Sequence, residues 1–277
     1  MGTRHFGELL AARKGFSVCV GLDSDHAKLP TEIEQMCGWK APGKQQRWFT
    51  QAIVDATADL VLAFKPNIAF YEAHGPSGFT ALRDIIRYSQ SRHPDVPVIL
   101  DAKRTDIGNT NRGYVQSAFE YFRADAVTVN PYFGAEALAP FLEREDKGVF
   151  VLCRTSNPGA GEFQDLHVGG QPLYKLVAYR VADSWNRKRN CGLVMGATYP
   201  DELREVRELV GDDMPILVPG VGTQGGDLEK TVAAGRRNLI INSGSAILFA
   251  SGGADFAGAA RAATQKLHRE IQAAYAA

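Results

Sequence analysis

Short apolar segments alternate with longer amphipathic segments along this chain, and this alternation constrains its fold more than any other feature. Each apolar segment has five or six residues and is apolar at nearly every position, which is typical of strands buried on both faces of a parallel sheet. Eight such segments are predicted as strands: Ser17–Leu22, Leu60–Lys65, Val98–Lys103, Ala126–Asn130, Gly148–Cys153, Gly192–Gly196, Pro215–Pro219 and Asn238–Asn242.

The intervening segments have helical patterns, and alternating strands and helices predict a parallel sheet with right-handed crossovers. Eight strand–helix units are the number that closes a (β/α)8 TIM barrel. Because single α/β barrels often run to about 250 residues, we expect residues 1–277 to form one barrel domain. A doubly wound open sheet is the alternative. Helical patterns include Gln45–Ala58, Gly78–Gln90, Asn111–Arg123, Tyr174–Asn186, Leu228–Ala234 and Phe256–Tyr275.

Composition excludes several classes of function. The chain has 31 basic and 31 acidic side chains, and this balance argues against a nucleic-acid partner, which would need a basic surface. No apolar run approaches the roughly 20 residues of a membrane span, and the amino terminus lacks a signal-peptide core. The four cysteines are scattered, so we expect neither disulfides nor a metal centre, and a cytoplasmic location.

Charged residues end the first three predicted strands. Asp23 follows the first strand, Lys65 ends the second, and Asp101 and Lys103 end the third, with Asp106 three residues further on. Since side chains alternate along a strand, Asp101 and Lys103 are expected to share one face. An alternating acid–base–acid array would keep the lysine protonated. These charged strand ends are expected to form an active site at one end of the barrel; a salt-bridge network at the edge of a sheet is the alternative.

Other candidate site segments also follow predicted strands. Long insertions at Asp25–Gly43 and Thr155–Pro172 lie where barrel enzymes build active sites. The segment Gly220–Gly225 matches the GxGxxG pattern of dinucleotide sites. Such a site would also require an Asp or Glu at the end of the next strand, and that strand ends at Asn242–Gly244 without one. In a barrel this loop is expected to bind phosphate through backbone N–H groups; a turn without a ligand is the alternative.

These segments together resemble the orotidine 5′-phosphate decarboxylase family, from about Phe16 to the last helix. The most specific element is DxKxxDIxxT, and the TSNP segment is similar to the bacterial branch with slightly longer chains. The resemblance is carried by VGLDSD (Val20–Asp25), FKPNIAFYEAHGP (Phe64–Pro76), DAKRTDIGNT (Asp101–Thr110), LCRTSNPGAGEFQDL (Leu152–Leu166), VPGVGTQGGD (Val218–Asp227) and INSGSAIL (Ile241–Leu248).

The resemblance implies a homodimeric barrel that decarboxylates orotidine 5′-monophosphate to uridine 5′-monophosphate without a cofactor, in pyrimidine biosynthesis. It implies a charged tetrad of Lys65, Asp101, Lys103 and Asp106, with Lys103 as the proton donor to C6. It also implies that Asp106 and Thr110 act in the active site of the neighbouring subunit. The substrate-binding residues implied are Asp23 (ribose), Asn67, Thr110, Ser156 (pyrimidine amide), Gly222, Gln224 (phosphate), Gly244 and Ser245.

One position departs from the family pattern. Family members carry an arginine that binds the phosphate where this chain has Ser245, and losing a charge-assisted contact costs roughly 1.5–3 kcal/mol. Arg236 and Arg237 precede the last strand, so they are expected at the opposite end of the barrel. Two alternatives stay open: a decarboxylase acting on a pyrimidine nucleoside or another ligand without the phosphate, and a non-catalytic binding barrel. Related barrels that process sugar phosphates usually add metal-binding acids on the second strand. Here that strand ends in Lys65-Pro66-Asn67, which disfavours this class.

Overall fold

The computed structural model describes residues 4–221 and 226–277. Eight parallel strands form one sheet. They are β1 (Val18–Gly21), β2 (Ala63–Lys65), β3 (Ile99–Arg104), β4 (Ala126–Val129), β5 (Gly148–Arg154), β6 (Cys191–Met195), β7 (Ile216–Pro219) and β8 (Leu239–Ser243). Their spatial order is β2-β1-β8-β7-β6-β5-β4-β3, and two bridges, Phe64 to Val98 and Asn67 to Asp101, join β2 to β3. The sheet therefore closes into the predicted barrel, and the open-sheet alternative is wrong.

Helices lie between the strands and pack on the outside of the barrel. Two of them, α6 and α9, end in π-helical turns at Gln116–Tyr121 and Val181–Trp185. The α-helices are α1 (Phe6–Ala12), α2 (Ile33–Cys37), α3 (Pro42–Thr57), α4 (Ala69–Glu72), α5 (Gly75–Arg92), α6 (Gly108–Val115), α7 (Gly134–Leu142), α8 (Gly161–Gln164), α9 (Leu173–Arg180), α10 (Pro200–Val210), α11 (Leu228–Gly235), α12 (Ser245–Leu248) and α13 (Phe256–Ala276).

All eight strands occur within about three residues of their predicted bounds, because continuous apolar runs are the signal that buried parallel strands leave in a sequence. The largest difference is in β2, which begins at Ala63 and not Leu60, since Ala58–Leu60 forms a 3-10 turn. A short antiparallel ribbon pairs His167–Val168 with Gln171–Pro172 inside the second insertion. Among the described helices none has the length and apolarity to cross a membrane.

The barrel interior is filled by side chains and closed at one end by α1. Phe6 of α1 is buried and packs edge-to-face on Phe150, with 5.7 Å between ring centroids. A side chain at Gly148 would collide with Phe6, because an added Cβ there would lie 2.4 Å from its ring. Helix α1 therefore covers the amino ends of the strands. The carboxyl ends, where the predicted site residues lie, remain open.

Candidate active site

A cavity of about 620 Å³ opens at the carboxyl ends of the strands. Its wall includes Leu152, Val194 and Leu217, and the charged strand ends occupy one side. A larger cavity of about 1070 Å³ lies against α1, α3 and α5 and contains none of the predicted site residues. The predicted residues that line the smaller cavity are Asp23, Lys65, Asp101, Lys103, Ser156, Gly244 and Ser245.

Lys65 is the buried centre of the charged group. Strand β2 lies beside β1, with Lys65 paired to Gly21, so its side chain is directed between the ends of β1 and β3. Its side chain is 4% exposed, and its Nζ lies 3.2 Å from Asp101 Oδ2 and 3.6 Å from Asp23 Oδ1. Burial alone would lower the pKa of Lys65, but the Asp23 and Asp101 carboxylates outweigh it and raise that pKa. Lys65 is therefore a fixed positive charge.

Asp101 accepts hydrogen bonds from four side chains. Lys103 Nζ lies 2.7 Å from its Oδ1 and Thr128 Oγ1 donates to the same oxygen at 2.8 Å, while Lys65 Nζ and Asn67 Nδ2 donate to Oδ2 at 3.2 Å each. Burial would raise the pKa of Asp101, but Lys65 and Lys103 reverse that effect and the pKa lies well below its usual range. Asp101 is therefore an ionised anchor for both lysines.

Asp23 is the second carboxylate beside Lys65. It accepts a hydrogen bond from the backbone N–H of Asn67 at 3.0 Å, which ties the end of β1 to the segment after β2. Burial raises the pKa of the Asp23 carboxyl, although Lys65 opposes this shift. The two carboxylates beside Lys65 therefore have pKa values shifted in opposite directions, a pattern frequent in functional sites.

Lys103 reaches the cavity through an irregular stretch of β3. Its φ is 50°, and the pairing of β3 with β4 shifts register between Leu100 and Arg104. Positive φ is uncommon for a residue with a side chain and persists where surrounding contacts hold it. Here the backbone N–H groups of Ala102 and Lys103 both donate to Thr128 Oγ1 at 3.0 Å. The expected proximity of Asp101 and Lys103 is found, but regular strand alternation was the wrong reason for it.

Thr128 was missed by the sequence analysis. It is buried in β4, accepts from two backbone N–H groups of β3 and donates to Asp101. The only signal in the sequence is a hydroxyl within the otherwise apolar segment Ala126–Val129. Such a residue suits a strand equally well without any role in a site.

Ser156 lies in the loop after β5 and lines the cavity. The loop packs closely on the end of β6, because an added Cβ at Gly196 would lie 2.7 Å from Ser156 Cα. Thr155 holds the loop through its Oγ1, which donates to Asn157 Oδ1 at 2.7 Å, and its backbone N–H, which donates to Gln164 Oε1 at 2.8 Å. The Ser156 position is thus fixed by the neighbouring strand end and by its own insertion.

The predicted phosphate-binding residues are only partly described. Gly220, Gly244 and Ser245 line the cavity after β7 and β8, whereas Gly222 and Gln224 lie outside the described residues. Arg236 precedes β8 and forms an ion pair with Asp212 at 3.2 Å, on the loop that leads into β7. It therefore lies at the amino ends of the strands, and Arg237 beside it also precedes β8.

Asp106 and Thr110 do not line the cavity of their own chain. Asp106 follows β3, and its Oδ1 accepts a hydrogen bond from the backbone N–H of Ile107 at 2.7 Å; Thr110 lies in α6. Asn67 contacts Asp101 but does not line the cavity either. Within residues 4–221 and 226–277, no cluster of three or more His, Cys, Asp or Glu side chains is arranged to hold a metal ion.

The fold and the cavity together define a (β/α)8-barrel protein with a lysine–aspartate site at the carboxyl ends of its strands. The chain belongs to the "Orotidine 5'-phosphate decarboxylase / HUMPS family", whose model matches residues 17–263. A protein of Ralstonia nicotianae named "Orotidine 5'-phosphate decarboxylase" is 49% identical over 273 residues, covering 96% of this chain and 97% of the relative. A protein of Azoarcus sp. with the same name is 51% identical over 262 residues, covering 92% and 93%.

Solved structures give the same result. The structure described as "Structure of Leishmania donovani OMP decarboxylase" superposes with a TM-score of 0.83 at 36% identity, covering 99% of each chain. A structure of a putative orotidine-monophosphate-decarboxylase from Toxoplasma gondii has a TM-score of 0.83 at 37% identity, covering 98% of this chain and 99% of that one. The similarity therefore extends over the whole barrel.

Proposed function

We propose that this protein decarboxylates orotidine 5′-monophosphate to uridine 5′-monophosphate in pyrimidine biosynthesis, without a cofactor, as a single-domain cytoplasmic enzyme of the longer bacterial branch. The observation that carries the proposal is the Lys65–Asp101–Lys103 array in the cavity, where Lys103 Nζ lies 2.7 Å from Asp101 Oδ1. The curated relatives at about 50% identity carry the matching name over nearly their full length.

The reaction requires a cation beside C6 of the pyrimidine. When the bond between C6 and the carboxyl group breaks, CO₂ leaves and the electron pair stays on C6. The Lys103 ammonium stabilises this negative charge and then transfers one N–H proton to C6. Lys103 suits this role because its side chain is 46% exposed at the cavity while Asp101 holds its Nζ. Lys65 is 4% exposed and acts by fixing Asp101.

The other predicted contacts follow the shape of the nucleotide. Asp23 is the ribose-binding residue, and Asn67 acts from the same side through its contact with Asp101. Ser156 binds the amide edge of the pyrimidine, and apolar side chains such as Leu152 and Leu217 cover the ring. The phosphate is bound by the loops after β7 and β8, with Gly222, Gln224, Gly244 and Ser245.

Ser245 stands at the place of the family's arginine. It lines the cavity and begins α12, and a hydroxyl there can donate one hydrogen bond but brings no positive charge. We therefore expect weaker phosphate binding at this position than an arginine would give, by roughly 1.5–3 kcal/mol.

The active enzyme is a homodimer in which Asp106 and Thr110 complete the partner's site. Neither residue lines the cavity of its own chain. Large apolar side chains are exposed on the same and the neighbouring loop: Ile107, which follows Asp106, is 63% exposed, and Tyr132, which follows the adjacent strand β4, is 87% exposed. Exposed apolar groups of this kind mark surfaces that become buried on association.

The test is decarboxylation of orotidine 5′-monophosphate and of orotidine, assayed side by side with the product identified by chromatography. We expect uridine 5′-monophosphate to form and orotidine to be a far poorer substrate. Equal turnover of both compounds would instead support a decarboxylase whose ligand lacks the phosphate. Binding of uridine 5′-monophosphate without any turnover would support a non-catalytic barrel.

A further inference from the structure

We propose that Lys28, in the loop after β1, supplies the positive charge that binds the 5′-phosphate of the substrate. This inference rests on the proposed function, since it names the residue that recognises one part of the same ligand. Phosphate binding was expected only from the loops after β7 and β8, and Lys28 adds a contribution from the loop after β1.

On the described part of the chain, the charges that line the cavity leave its phosphate end without an arginine. Among the described residues that line it, three lysines face three aspartates and there is no arginine. Two of the lysines are committed near the reacting carbon, because Lys65 lies between Asp23 and Asp101, and Lys103 contacts Asp101. A cation beside the phosphate would strengthen its binding, and the third lysine of this lining, Lys28, pairs with neither of these aspartates but with Asp25.

The ammonium group of Lys28 is available to a ligand. The side chain of Lys28 is 61% exposed, and its ion pair in the structure is a long one, with Nζ 3.5 Å from Asp25 Oδ2. Exposed pairs of this kind contribute little, with a median of about 0–1 kcal/mol. A phosphate can therefore draw the Lys28 ammonium away from Asp25 at small cost.

Lys28 lies close to the loop that follows β8. Strand β1 pairs with β8, and Val20 lies opposite Ser243, so the loops that follow these two strands are neighbours. Lys28 Nζ lies 5.9 Å from the ring centroid of Phe249. The backbone N–H of Phe249 donates to the carbonyl of Ser245 at 3.1 Å, one helical turn away. The ammonium is thus held on the side of the cavity where Ser245 lacks a charge.

The loop that carries Lys28 is anchored, whereas the lysine side chain itself is 61% exposed and can extend. Asp25 precedes the short 3-10 turn His26–Lys28 and caps it, because its Oδ1 accepts a hydrogen bond from the backbone N–H of Ala27 at 3.1 Å. The His26 ring contacts Gln45 Oε1 of α3 at 2.6 Å. The backbone around Lys28 is therefore anchored to α3, which lowers the ordering cost of binding a phosphate there.

The experiment compares Lys28→Gln with the wild type and with Lys188→Gln as a matched control. Lys188 is 51% exposed and pairs with Glu145 at 3.4 Å, but it precedes β6 at the other end of the barrel. Binding of uridine 5′-monophosphate and of uridine is measured by calorimetry, and turnover of orotidine 5′-monophosphate by steady-state kinetics. The binding measurement keeps the inference testable even if the turnover assay refutes the proposed function.

We expect Lys28→Gln to weaken uridine 5′-monophosphate binding and raise KM for orotidine 5′-monophosphate about 10–150-fold, the range that a charge-assisted contact gives. Uridine binding should change less than threefold, and Lys188→Gln should match the wild type. Ser245→Arg placed in the Lys28→Gln background should restore most of the loss. Unchanged nucleotide binding in Lys28→Gln would overturn the inference, and so would equal losses for nucleotide and nucleoside, which indicate a structural role.

Discussion

Lys65 and Lys103 contact the same carboxylate, yet replacing each with methionine should lower the stability by very different amounts. Methionine at position 65 removes the ammonium between Asp23 and Asp101 from a site where the lysine side chain is 4% exposed. Removing one partner of a buried ion pair costs about 3–5 kcal/mol, because the other charge is left without compensation. Asp101 retains Lys103 and Thr128 as donors, so the lower end of this range applies.

Methionine at position 103 removes a side chain that is 46% exposed. Asp101 keeps Lys65, Asn67 and Thr128 as donors, and an exposed pair contributes about 0–1 kcal/mol. Since 1 kcal/mol shifts the Tm of a domain of this size by about 2–4 °C, Lys65→Met should melt on the order of 10 °C below the wild type and Lys103→Met within about 4 °C of it.

The assay is thermal unfolding followed by circular dichroism, with both variants purified in parallel. The dependence of the melting temperature on pH in alkaline solution gives a second check on the role of Lys65. Because Asp23 and Asp101 raise the pKa of Lys65, its stabilisation is present below the ordinary lysine pKa of about 10.4 and is lost as pH rises through the folded value. The gap between wild type and Lys65→Met should therefore be constant from pH 6 to 9 and narrow above about pH 10. Equal melting of the two variants at neutral pH would refute this account of the charged group.

Three further outcomes follow from the same contacts. Thr128→Val should lower kcat by about tenfold with little change in KM, because Lys103 loses the hydroxyl that holds its backbone. Steady-state kinetics checks this, with Thr128→Ser, which keeps the hydroxyl, as the control. If Thr128→Ser lowers kcat as much as Thr128→Val does, the hydroxyl does not have this role. Mixing inactive Lys103→Ala and Asp106→Ala subunits should restore activity in verified heterodimers, and no recovery there would exclude shared sites. Because Lys65 and Lys103 lower the pKa of Asp101, the contribution of its carboxylate to folding stability should be complete above about pH 4 and decline on further acidification. Unfolding of the wild type and of Asp101→Asn, measured over a range of acidic pH, tests this. A stability difference between the two proteins that stays unchanged below pH 4 would contradict the lowered pKa.

The barrel could be predicted from the sequence because buried parallel strands are apolar at almost every position, and eight such segments leave few arrangements. The N-terminal helix α1 was not predicted. Its role depends on Phe6 reaching Phe150, more than a hundred residues away, and no local pattern indicates that contact. The bounds of β2 also differ from the prediction, because the apolar run begins at Leu60, although Leu60 ends a 3-10 turn and the strand begins at Ala63.

The candidate site was only partly accessible to the same reasoning. Asp23, Lys65, Asp101 and Lys103 could be found because charges at the ends of apolar strands are conspicuous, and the cavity brings these side chains together. The backbone geometry at Lys103 could not be predicted, since its positive φ depends on a hydroxyl from the next strand.

Lys28 was overlooked for a different reason. A lysine in a polar loop is usually a solvated surface charge, and although the insertion Asp25–Gly43 was expected at the carboxyl ends of the strands, nothing within it distinguishes Lys28. Its position becomes informative only when β1 and β8 are seen to be neighbours and Phe249 is found beside its ammonium. A loop residue whose role depends only on neighbours from distant strands therefore leaves no signal of its own in a single sequence.

The most direct test of the central claim is the turnover of orotidine 5′-monophosphate by Lys103→Ala, with uridine 5′-monophosphate binding measured on the same preparation. The account predicts that kcat falls by at least 10²-fold, the lower limit for loss of a general acid, while the nucleotide still binds and the protein melts close to the wild type. A variant that keeps more than about a tenth of the wild-type kcat would contradict Lys103 as the group that protonates C6.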